Sequence, residues 1–139
     1  MKQELEAELK RKYPRVFVDL QNPEITRHNS CLSFGLEIGD GWYSIIDECA
    51  AGLEKEIENW LRENEKDFPF EVPKIVQVKE KFGIIRIYTN ILTEKMDEII
   101  RQAEVKSSYT CEECGKPGEM RGKGWLYIAC NECYEKRKK

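Results

Sequence analysis

The chain has 139 residues, the length of one ordinary domain or of a small domain with an appendage. It is 40% hydrophobic and 35% charged, enough apolar material for a core beneath a heavily solvated surface, which argues against disorder. The net charge of -3 is unevenly divided, with 14 basic and 20 acidic residues in positions 1–100 and 9 and 6 in the remainder, a balance that excludes a general duplex-binding protein with one basic face.

Residues 2–12, "KQELEAELKRK", place Leu5 and Leu9 four apart and predict a helix that Pro14 ends. The opening segment is charged throughout and has no apolar run, so it does not read as a secretory signal. With no stretch long enough to cross a bilayer, the expected address is cytoplasmic. "RVFVDL" suits a short strand, "QNPEITRHNS" a loop, and "CLSFGLEI" a strand with Leu32, Phe34 and Leu36 on one face, broken by "GDG" at 39–41.

From Trp42 to about Glu65 the apolar residues Ile45, Ile46, Cys49, Leu53, Ile57, Trp60 and Leu61 form one stripe of a long helix, with Asp40 placed to cap it. "DFPFEVP" is expected to be extended, because Pro69 and Pro73 remove backbone donors. "KIVQVKEKFGIIRIYTN" reads as a β-hairpin: Val76 and Val78 alternate on one arm, Ile85 and Ile87 on the other, and Gly83 supplies the turn. Thr93 caps a second helix over 94–105, with Met96, Ile99, Ile100 and Ala103 on its inner face. The expected fold class is α+β: a small helix and β-hairpin core over residues 1–108, and a C-terminal zinc ribbon over 109–139. The two or three linking residues at Ser107–Ser108 predict that the ribbon packs on the core.

Cys111-x-x-Cys114, fifteen residues, then Cys130-x-x-Cys133 is the spacing of a structural zinc site. Each tight turn aims two thiolates at one point, and a hairpin between the turns closes the tetrahedron. Gly115 gives the first turn its left-handed residue, Gly122 and Gly124 flank the hairpin turn, "WLYIA" is the return strand, and the second pair runs into a terminal helix. A disulfide framework would need an oxidising compartment, a redox pair would need a βαβ context that is absent, and an iron–sulfur cluster can use four cysteines but is less suited than tetrahedral zinc to two short knuckles on a hairpin. Four thiolates leave no open position, so the expected Zn²⁺ stabilises and does not catalyse. Chelation is expected to melt residues 109–139, with Trp125 as the optical reporter.

Other residues invite sharper readings with plainer rivals. Cys49 lies on the helix stripe as a buried thiol. His28 and Cys31 are three apart, but no second ligand pair accompanies them. "QVKEKF" superficially suggests a metal-dependent nuclease strand, yet Gln77 stands where an acid is needed, and Glu80 and Lys81 are adjacent. Arg121, Lys123, Trp125 and Tyr127 are candidate ligand-binding residues, since Trp125 and Tyr127 on one ribbon face could stack a base; such a pair more often packs a module onto its neighbour. The closing "KRKK" is expected to be a frayed tail.

The run "VQVKEKFGIIRIY", a helix, then "YTCEECGKPGEMRGKGWLYIACNEC" resembles a group of small bacteriophage and prophage proteins that join a VKEKFG hairpin to a TCE-x-CG-x-PG … GW … C-x-x-C zinc ribbon. "GDGWYSIIDECAAGLEKEI" is similar to their upstream helix, so the resemblance covers about residues 39–133 and leaves residues 1–38 without a counterpart. "FGIIRIY" and "IAC" depart from the commoner forms without touching the four cysteines. The resemblance implies phage origin and zinc, and carries no reaction. Together these features lead to the expectation of a non-enzymatic binding protein that engages a host factor or defence component, its acidic body suiting a basic partner. Two rivals stand beside it: a ribbon that binds nucleic acid, with a variant that sequesters a small nucleotide in a pocket of the α+β core, and a degenerate nuclease around Glu80 and Lys81.

Overall fold

The computed structural model describes residues 1–26, 28–64 and 71–138. Helix α1, Gln3–Lys12, has Glu4 and Glu6 in its first turn and Lys10, Arg11 and Lys12 in its last, each sign opposing the helix dipole. Leu9 enters the core. Glu6 is also buried and accepts the Leu36 N–H at 2.6 Å, while the amino terminus of Met1 donates to the Leu36 carbonyl at 3.0 Å. The N-terminal segment is thus stitched to a residue thirty or more positions downstream.

Neither strand expected before residue 40 forms. Residues 14–21 are consecutive turns, and Phe17 N–H donates to the Tyr13 carbonyl at 3.1 Å. Val16, Phe17 and Leu20 are buried and Val18 is exposed, so the burial follows helical spacing and the period of two in "RVFVDL" is not used. Asp19 is buried beside Lys74, with Nζ and Oδ2 2.8 Å apart. Cys31–Phe34 is a 3₁₀ turn capped by the Ser30 hydroxyl, which accepts from Leu32 N–H at 3.2 Å, and Gly35 at φ +80° ends it. Leu32 and Leu36 point inward, but Phe34 is about half exposed. Beyond Gly35 a bridge joins Glu37 to Lys79 of the sheet.

Asp40–Trp42 forms one 3₁₀ turn and leads into α2, Tyr43–Glu63. Asp40 does not cap this helix; its carboxylate accepts the Lys2 N–H at 2.9 Å instead. The stripe of α2 is as expected in its first four turns, with Ile45, Ile46, Cys49, Leu53 and Ile57 buried, while Trp60 and Leu61 are half-buried. The helix ends before Glu65, and that residue together with the "DFPF" of 67–70 lies outside the described residues.

Strands β1, Ile75–Lys81, and β2, Ile84–Thr89, pair antiparallel across a two-residue turn in which Phe82 and Gly83 both have positive φ, the left-handed pair that a tight hairpin requires. A register shift between Ile75 and Gln77 changes the expected inner face: Ile75 and Val78 are buried and Val76 is not. Ile85 and Ile87 face inward as expected. Helix α3, Glu94–Ser107, starts where Thr93 Oγ1 accepts Met96 N–H at 3.2 Å, and runs two residues past its expected end. It lies along α2 at Gly52, where an added Cβ would sit 3.3 Å from the Ile99 side chain. Trp42, Leu53, Ile57, Val78, Ile85, Met96, Ile100 and the distant Ile128 belong to one apolar cluster.

Leu53 is fully buried at the middle of α2. Leu53→Ala is expected to cost about 2–5 kcal/mol in urea unfolding followed by far-UV circular dichroism. Val105→Ala, at a side chain 60% exposed on α3, is expected to change stability by less than about 0.5 kcal/mol. Equal losses at the two positions would contradict this core.

Candidate metal centre

Two short turns and a hairpin bring the four ribbon cysteines together. In the first turn Gly115, at φ +83°, donates to the Cys111 carbonyl at 2.9 Å, and Cys111 N–H donates to the Lys116 carbonyl at 2.8 Å. Strands β3, Glu119–Arg121, and β4, Tyr127–Ala129, then pair with Glu119 opposite Ala129 and Arg121 opposite Tyr127. The return strand is shorter than "WLYIA", because Trp125 and Leu126 belong to the bend. Cys130 precedes α4, Asn131–Lys138, and Cys133 occupies its first turn. There Cys133 N–H donates to Cys130 Sγ at 3.4 Å.

The four sulfurs lie within 4.8 Å of one another, and Cys114 and Cys130 are 3.6 Å apart. A disulfide needs about 2.05 Å. Thiolates around a tetrahedral zinc with bonds of about 2.3 Å stand about 3.8 Å apart, so the quartet has the spacing of a four-sulfur metal site. Its electrostatics agree. Burial opposes ionisation of Cys111, but backbone N–H groups near Cys130, Cys114 and Glu113 outweigh it and bring the thiol down to about 7. Cys133 is pushed the other way, by burial first and by its sulfur neighbours next. All four can ionise together only around a cation. By contrast, Cys49 is buried on α2 with its thiol pushed up to about 12, chiefly by burial, as suits an inert core cysteine.

The first cysteine turn is seated on residues 39–42. Gly41 N–H donates to the Glu112 carbonyl at 2.8 Å, Gly39 N–H to the Glu112 carboxylate at 2.9 Å, and the Trp42 indole to the Thr110 carbonyl at 2.8 Å. A Cβ on Gly39 would fall 2.3 Å from the Glu112 carbonyl oxygen, and one on Gly41 2.4 Å from that of Cys111. The "GDG" read from the sequence only as a strand break is therefore the contact surface for the metal turn. No local signal marked it, since its partner is some seventy residues away. Burial raises the Glu112 carboxyl, and the Gly39 amide opposes that shift.

The four residues singled out for ligand binding do not form one open surface: Arg121 and Tyr127 are cross-strand partners turned to internal contacts, while Lys123 and Trp125 lie together in the bend. Arg121 is consumed internally: Nε donates to the Ala129 carbonyl at 3.2 Å, the guanidinium pairs with Glu119 at 3.3 Å and bonds Asn131 at 2.7 Å, and its side chain is only 15% exposed. Tyr127 packs against the cysteine cluster beneath Arg137, whose guanidinium carbon is 4.0 Å from the ring centroid. Lys123 is exposed in the bend, and Trp125 is 75% exposed beside it, not on a shared strand face with Tyr127. Nor does the tail fray through residue 138: Lys138 lies 4.3 Å from the Tyr134 ring centroid, and Lys139 is outside the described residues. Among the described residues, His28 and Cys31 join no metal-binding cluster, and Glu80 uses its carboxylate to accept the Gly83 N–H at 3.1 Å.

No helix of the described residues is long and apolar enough to cross a membrane. No protein-family model matches the chain, and comparisons with curated proteins and with solved structures give no match.

Because Gly41 would drive a Cβ into backbone, Gly41→Ala is expected to displace the first cysteine turn and cost about 1–3 kcal/mol, with faster metal loss to a chelator. Retention at the wild-type rate would contradict the seat. Thiolate ligands must be deprotonated to bind, so metal affinity is expected to fall as pH falls, with protons taken up as the metal leaves. The near-UV band of Trp42, buried and bonded to Thr110, reports that loss better than Trp125, which is already in solvent.

Proposed function

We propose that this chain is a phage-type protein with structural zinc that acts by engaging a host factor or defence component, without catalysis of its own. The observation that carries the reading is the seating of a four-sulfur site on the α+β body. Zinc would be held by Cys111, Cys114, Cys130 and Cys133, and four thiolates complete its coordination with no position left for water or substrate. Bound there, zinc supplies folding free energy, on the order of 10 kcal/mol at neutral pH for such modules. The phage assignment rests on the quoted motifs over residues 39–133.

A second reading, nucleic-acid or nucleotide binding by the ribbon, is favoured by one specific feature. Trp125 and Lys123 stand exposed at the bend of a ribbon whose other basic side chains largely lie against its own rings and carbonyls.

Metal analysis of the purified protein is expected to give one zinc per chain, and Cys111→Ser is expected to abolish it. Tagged protein incubated with host lysate is expected to retain a stoichiometric partner that survives nuclease treatment. A chain that binds no zinc, or retains nothing, would overturn the first reading; a partner lost on nuclease treatment would move the conclusion to the second.

A further inference from the structure

The outer face of the β1–β2 hairpin does not belong to the core. Strand alternation puts Val78, Ile85 and Ile87 inside and Lys79, Lys81 and Tyr88 outside, since Lys79 pairs with Arg86 and Gln77 with Tyr88. Lys79 Nζ lies 5.8 Å from the Tyr88 ring centroid, and Lys81 Nζ the same distance from that of Phe82. Phe82 is 65% exposed at the turn, a costly place for a large aromatic that also holds φ +56°. From Tyr88 to Phe82 the strand runs roughly 17 Å.

The ribbon continues this row. Gly83 sits against the backbone of Leu126 and Tyr127, so close that an added Cβ would be 3.3 Å from the Tyr127 Cα. The two bends therefore lie side by side, and Phe82 and Trp125 are the most exposed aromatics at that end. With Arg121 engaged inside the ribbon, residues 79–83 and 121–127 offer three basic side chains, Lys79, Lys81 and Lys123, in a chain whose net charge is -3, and the acid among them, Glu80, is bonded to Gly83. A local excess of cations interleaved with exposed rings matches a polyanion that carries flat, unpaired bases.

We propose that this composite surface binds single-stranded nucleic acid. Phe82, Trp125 and Tyr88 stack bases at intervals along the strand, and Lys79, Lys81 and Lys123 face the phosphates. The proposal rests on the second reading above and extends it: the ligand is single-stranded, and half of its site lies on the body, outside the ribbon. Bases in a duplex are already stacked and offer these rings nothing, so the surface selects for unpaired strands. With no edge-reading donors or acceptors required, it is tolerant of sequence.

Fluorescence anisotropy of a labelled oligothymidylate of about twelve nucleotides, added to the zinc-loaded full chain at low salt, tests it. Phe82→Ala and Trp125→Ala are each expected to weaken binding about 5- to 100-fold. Lys81→Gln and Lys123→Gln are each expected to reduce the magnitude of the log–log salt slope by about 0.7. Leu92→Ala, at an exposed apolar residue elsewhere, is expected to leave binding unchanged. Zinc content and circular dichroism of every variant establish that it is folded. No binding by folded, zinc-loaded protein overturns the proposal, as does equal affinity for a duplex of the same length. Binding that depends on Trp125 and Lys123 but ignores Phe82 and Lys81 overturns the composite site and leaves the ribbon reading intact. A protein partner that docks through these same residues after nuclease treatment overturns the proposal and supports the host-factor reading.

Discussion

The placement of the metal site depends on three hydrogen bonds between segments some seventy residues apart. The amides of Gly39 and Gly41 and the indole of Trp42 are all donors; Thr110 and Glu112 supply the acceptors on either side of Cys111. Because two acceptors are backbone carbonyls of the cysteine turn itself, the body fixes where the first two sulfurs can be. Backbone atoms approach this closely only because positions 39 and 41 have no Cβ. Trp42 serves both sides: it is fully buried in the main cluster, it leads into α2, and its one polar atom is satisfied by the ribbon. Removal of the ribbon would leave that N–H unsatisfied at the edge of the core, a cost that couples the folding of one part to the other.

Further contacts along β4 and at the ribbon bend join the ribbon to the body. Ile128, in the middle of β4, is 2% exposed and belongs to the main cluster rather than to the cysteine cluster. Nearby, Gly83 of the hairpin turn meets the backbone of residues 126–127. The ribbon thus meets the body at the first cysteine turn, along β4 and at its bend. The hairpin turn and the ribbon bend accordingly lie side by side.

Local chemistry made much of this legible in advance. The Cys-x-x-Cys pairs, the stripe of α2, the Phe82–Gly83 turn and the Thr93 cap are each fixed by residues within a few positions, and each was readable. The errors fall where distant partners decide. Residues 14–21 form turns and Cys31–Phe34 a 3₁₀ turn, because α1, Lys74 and β1 supply hydrogen bonds and ion pairs to this part of the chain, as with Glu6 to Leu36, Lys74 to Asp19 and Ser30 to the Val76 carbonyl. A two-residue period in so short an apolar run cannot reveal that. Asp40 resembled a cap and was claimed by Lys2. In the ribbon, Arg121 and Tyr127 had the composition of a binding site, but their neighbours Ala129, Asn131 and Arg137 had already engaged them.

That engagement has an electrostatic consequence. Four thiolates around zinc carry a net charge of about -2. Three basic side chains of the ribbon fold back over its aromatic rings, with Arg121 and Lys138 on Tyr134 and Arg137 on Tyr127. There they offset the sulfur charge and add cation–π attraction. Much of the positive excess read from the C-terminal sequence is therefore spent inside the ribbon and is not offered to a partner. Lys123 lies beyond this arrangement, in the bend beside Trp125, while Lys79 and Lys81 rise from a strand of the body. The cations that remain for an outside ligand thus come from two separate chain segments. Only the close approach of Gly83 to residues 126–127 makes one surface of them.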